Sequence, residues 1–176
     1  MKTHRKLLFI LLLMPSGILC LQAEAQERSE SVIGFGISPG VTSFDDGYLT
    51  ETNLSLAVGF KVGHKIFNGY QVYLSTIVSP FGYKYNNVNM YGLVGFTLRY
   101  FISNETPSIF VVAGGDIGVW GNTQGELNYH ESTGPRIGGG YEFAKHWNVE
   151  GTFSWLSRGH NNIRVSSFWT ILSYEI

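Results

Sequence analysis

The sequence predicts an all-β fold: an eight-stranded antiparallel up-and-down transmembrane β-barrel, preceded by a cleaved signal peptide. Three observations predict it. The amino-terminal segment is of secretory type, apolar residues alternate strictly with small or polar ones in run after run, and the connections between runs are alternately short and long. Composition agrees. Only 14% of the 176 residues are charged, while 22 are glycine and 15% are aromatic; an average soluble domain carries about 25% charged residues. So few charges do not cover a soluble surface, yet a mean hydropathy of +0.04 is far from that of a helical membrane protein. The aromatics and a net charge of −1 exclude intrinsic disorder. A pI of about 6.5 excludes a basic nucleic-acid binder.

Residues 1–25 read as the signal peptide and 26–176 as the barrel domain. Lys2, Arg5 and Lys6 form the positive start, Leu7 to Met14 the apolar run, and Ala23-Glu24-Ala25 the small-x-small cleavage pattern. The apolar run is too short to span a bilayer comfortably as a helix. Cleavage removes three bases and one acid, which moves the net charge from −1 to −3, and it removes Cys20, the chain's one cysteine. The mature chain therefore has neither disulfide nor thiol chemistry and must be held by its core or by a membrane.

The strands follow in order. Ile33, Phe35 and Ile37 alternate with Gly34, Gly36 and Ser38. Leu54, Leu56, Val58, Phe60 and Val62 alternate with Ser55, Ala57, Gly59, Lys61 and Gly63, the clearest period of two in the chain. Val72, Leu74, Thr76 and Val78 face away from Gln71, Tyr73, Ser75 and Ser79, with Ile77 as an exception. Val94, Phe96, Leu98 and Tyr100 oppose Gly95, Thr97 and Arg99, and Ile109, Val111, Ala113, Ile117 and Val119 oppose Gly114, Asp116 and Gly118. Pro135, Ile137, Tyr141 and Phe143 oppose Arg136, Gly138, Gly140 and Glu142. Val149, Phe153 and Trp155 oppose Glu150, Thr152 and Ser154, and Phe168, Leu172, Tyr174 and Ile176 oppose Ser167, Ser173 and Glu175. Several runs approach the length of a tilted membrane-crossing strand.

Short connections fall around His64–Gly69, Ile102–Thr106 and Ala144–Trp147; longer, more polar ones are expected around Thr42–Glu51, Pro80–Asn87, Gly121–Thr133 and Ser157–Asn162. Transmembrane barrels alternate short inner turns with longer outer loops. Tyr70, Tyr100, Tyr141, Phe143, Trp147 and Tyr174 gather near the short-turn end as an interfacial girdle. A soluble barrel of lipocalin type, with the apolar face inward and a small apolar ligand, is the rival architecture. Its outer face would then be rich in Gly, Ser and Ala, a poor shield against water, whereas a narrow lumen filled by side chains wants small residues and a few paired charges.

The run Gly138-Gly139-Gly140-Tyr141-Glu142-Phe143 with the Trp147 turn, set among eight alternating strands behind a signal peptide, resembles the barrel domain of the outer membrane protein A and X type. Phe168 to Ile176 resembles the terminal strand by which barrel assembly machinery recognises its clients, although that family usually ends in an aromatic residue and this chain has Tyr174 two positions before Ile176. The resemblance covers about residues 31 to 176. It implies the bacterial outer membrane as location, with membrane lipid and lipopolysaccharide as surroundings, and leaves function open.

The inward face carries Lys61, Arg99 and Arg136 against Asp116, Glu142, Glu150 and Glu175. In a filled lumen these are expected to pair and to stabilise the barrel. Counting from the turns puts Asp116 beside Arg136, and Lys61 and Arg99 lower, near Glu142, Glu150 and Glu175. No catalytic, cofactor-binding or metal-binding residue is assigned. The strongest catalytic stretch, Glu150, Ser154, Ser157 and His160, brings to mind the lipid A deacylases, but it places its carboxylate and its base at opposite ends of the barrel, and His160-Asn161-Asn162 lacks their His-x-Ser-Asn pattern. His64 and His146 suit interfacial turns, and His130 beside Glu131 offers too few ligands for a metal. Outer loops carrying Phe44, Asp45, Asp46, Tyr48, Glu126, Tyr129, His130 and Glu131 are the expected working surface, open to a surface ligand.

Overall fold

A computed structural model describes residues 31–45, 47–48, 50–67, 69–79, 90–122, 128–157 and 163–176, with no side-chain placement over 122–130. The signal peptide and its cleavage site lie outside the described residues. Eight strands form: β1 (Ser31–Asp45), β2 (Thr50–Phe67), β3 (Tyr70–Ser79), β4 (Met90–Phe101), β5 (Ser108–Asn122), β6 (Asn128–Ala144), β7 (Trp147–Leu156) and β8 (Arg164–Glu175). Each pairs antiparallel with its sequence neighbours, and β8 pairs with β1 to close the barrel.

The register fixes the barrel's shape. From Gly34 it crosses Lys61, Ser75, Gly95, Asp116 and Gly134. Extending the Arg136–Ser154 register by two residues leads from Gly134 to Leu156, which pairs with Val165 and so reaches Phe44 on β1, ten residues beyond the start. A stagger of that size over eight strands tilts each strand about 40° from the barrel axis. Side chains that meet across the lumen therefore come from distant positions in the sequence.

The period-2 faces fall as the alternation requires. Phe35 is 64% exposed and Val58 62%, while Lys61, Arg99, Asp116, Arg136 and Glu150 are buried. Ile77 is no exception. It points inward like the other odd-numbered residues of β3 and is buried in an apolar cluster.

The connections are shorter than expected at both ends: His64–Phe67, expected in a turn, belong to β2, and at the loop end the strands also run on. Thr42–Asp45 and Thr50–Glu51, expected in a loop, belong to β1 and β2, and Gly121–Asn122 and Asn128–Thr133 belong to β5 and β6. These segments are polar because they stand beyond the apolar belt, where strand pairing continues without lipid to enforce an apolar face. At the other end Gly69 turns with φ 81° and His146, unusually for a side-chain-bearing residue, with φ 70°. The His146 turn is held in place: its Nδ1 meets the Glu175 carbonyl oxygen at 2.6 Å, so that nitrogen carries the proton, and the Glu175 N–H donates back to the His146 carbonyl at 2.7 Å.

Candidate functional site: lumen, belt and outer rim

The lumen is filled in three storeys. The lowest lies near the short-turn end. Lys61 Nζ donates to Glu150 Oε2 at 2.9 Å and Glu175 Oε1 at 3.2 Å. Arg99 reaches the same two acids, with Nη2 to Glu150 Oε2 at 2.9 Å and Nη1 to Glu175 Oε2 at 2.7 Å. Tyr73 donates to Glu150, and the Arg99 guanidinium lies 4.8 Å from the Tyr73 ring and 4.5 Å from the Phe110 ring. Two bases thus share two acids, each acid is held by both, and Arg99 packs against aromatic rings.

The middle storey centres on Arg136. Its Nε donates to Asp116 Oδ2 at 3.0 Å, and Nη2 lies 2.8 Å from Oδ1, an ionic contact off the hydrogen-bonding direction. Asp116 and Arg136 are not directly opposed: Asp116 faces Gly134 and Arg136 faces Gly114, so the pair is diagonal. Nη1 donates to Ser75 Oγ at 2.5 Å and to Thr97 Oγ1 at 3.3 Å, and the Ser154 hydroxyl donates to Asp116. Three bases and three acids balance within these two storeys. Glu142, the remaining inward acid, lies at the short-turn mouth, where it lines a cavity of about 30 Å³ with Gln71, Lys145, His146 and Glu175. That volume suits a water or two and no larger ligand.

The top storey departs from the expected lumen of small residues. Phe44, Tyr91, Leu93, Trp120, Leu156, Val165 and Trp169 form an apolar plug. Phe44 meets Tyr91 and Trp120 edge-on at 5.9 and 6.0 Å, and Tyr91 stacks over Trp169 at 6.3 Å. Phe44, expected in a loop contact surface, is thereby buried. The plug needs the glycines opposite it: a Cβ on Gly40 would stand 2.1 Å from the Trp169 ring, and one on Gly118 2.2 Å from Leu156. Parity marked Tyr73, Ser75, Thr97 and Ser154 as inward; their roles as partners of the charged groups depend on the tilt, which no single strand reveals.

Outside, the barrel is apolar. Phe35, Leu56, Phe60, Leu74, Phe96 and Ile137 are among the exposed side chains of the belt. A continuous surface of this kind far exceeds the apolar patch a soluble protein leaves uncovered. At the short-turn end Phe67, Tyr70 and Tyr100 form one ring-to-ring series at 4.5 and 4.6 Å, and Trp147, Tyr174 and Phe35 another at 5.2 and 6.0 Å. At the loop end Tyr48 is 95% exposed.

Architecture decides the comparison. The structure of Ail, the attachment invasion locus protein of Yersinia pestis, matches with a TM-score of 0.57 and 17% identity, over 85% of this chain and 99% of that one. Neisserial surface protein A matches with a TM-score of 0.60 and 8% identity, over 82% and 97%. The chain has the fold of the small outer-membrane barrels. Ail solved with the heparin analogue sucrose octasulfate gives the same match, with a TM-score of 0.56 and 13% identity over 84% and 100%. No protein-family model and no curated protein sequence matches the chain. At these identities the outer-membrane barrel fold is what is shared, and the fold alone.

Of the residues weighed for catalysis, the described Glu150 and Ser154 are held in separate lumen networks. Glu150 sits beneath Lys61, Arg99 and Tyr73, and Ser154 is bound to Asp116 in the storey above. His160 lies outside the described residues, as does most of the loop around it. Among the described residues no group of three or more His, Cys, Asp or Glu side chains is placed to hold a metal.

Proposed function

We propose that this chain is a non-enzymatic integral protein of the bacterial outer membrane, with a structural or surface-interaction role in the cell envelope. The observation that carries the reading is its inverted polarity: an apolar belt outside and charged groups paired inside. Lipid and lipopolysaccharide surround the belt, and barrel assembly machinery engages β8. A soluble barrel with an apolar ligand cavity needs the reverse arrangement. A lipid A deacylase needs a serine and carboxylate available to a histidine, and Glu150 and Ser154 are instead tied into separate lumen networks.

The rim is the surface left for a ligand. Ail has been solved with a polyanion, but among the described residues this rim carries Asp45, Glu51 and Glu131 against Arg164 alone. That balance favours a cationic or neutral partner. Membrane fractionation tests the main reading, with the protein expected in the outer membrane and migrating faster on gels before heating than after. Recovery free in the periplasm overturns it. Lipid A mass spectrometry with and without the gene tests the enzymatic alternative, for which loss of an acyl chain is the signature.

A further inference from the structure

We draw no further inference here: the strongest candidate, the backbone edge of β2 from Thr50 to Leu54 that rises past the end of β3 at the outer rim, carries nothing because no described residue shows what covers it.

Discussion

Arg136 shows how much one lumen residue holds. Removing a single partner of a buried ion pair leaves the other charge uncompensated, at a cost of about 3–5 kcal/mol. Arg136→Ala is therefore expected to lower the denaturant midpoint of the refolded barrel strongly. Asp116→Ala in the same chain should recover part of that loss, since the stranded charge is then gone; strict additivity in urea titrations would show that the two side chains do not act as a pair. Glycine positions give a second contrast. Gly40→Ala drives a methyl into the Trp169 ring, whereas a Cβ on the outward Gly115 meets nothing nearer than 3.6 Å. Thermal melts should show Gly40→Ala clearly destabilised and Gly115→Ala close to the parent. The Asp116–Arg136 contact was legible from turn spacing because both residues lie on neighbouring strands. The Gly40–Trp169 fit was not, because complementarity between a small residue and a large one depends on register, and register is set by the closure of the whole sheet.

At the level of the strand, alternation was readable wherever two unlike solvents meet. On β4, Val94, Phe96 and Leu98 face outward while Gly95, Thr97 and Arg99 face inward, and lipid on one side enforces the period. On β1 the strand continues beyond Val41 with Ser43 and Asp45 on its outward face, and composition there resembles a loop. The strand signal fails where the outer solvent becomes water. This division predicts depth-dependent costs. Val94→Arg, midway along β4, should cost about 2–4 kcal/mol, and Tyr100→Arg, in the girdle, about 0–1 kcal/mol. Equal losses in vesicle refolding titrations would remove the belt from its assigned height.

For the molecule as a whole, the storeys together make a closed body. The apolar plug of Phe44, Tyr91, Trp120 and Trp169 lies over two storeys of crosslinked charge. Planar-bilayer recordings of the purified protein are expected to show no steady ion conductance, and a stable open level would contradict the packing. Trp169→Ala removes a large, fully buried side chain that β8 contributes to the plug and should destabilise by about 3–5 kcal/mol. The same storeys explain the composition. Charges are few because the belt faces lipid, and Gly40, Gly118 and Gly140 make room for the lumen side chains of Trp169, Leu156 and Phe110.

The seam between β1 and β8 has a kinetic consequence. Every other strand pair is a hairpin whose partners are near one another in the chain, but Gly34 meets Glu175 and Phe44 meets Val165. Until the last strand is present, a growing sheet carries two exposed edges, each a template for unwanted pairing. The barrel is complete only when β8 reaches β1. Gly34 and Glu175 lie 141 residues apart in the chain (175 − 34), and pairing partners so distant in sequence slows folding.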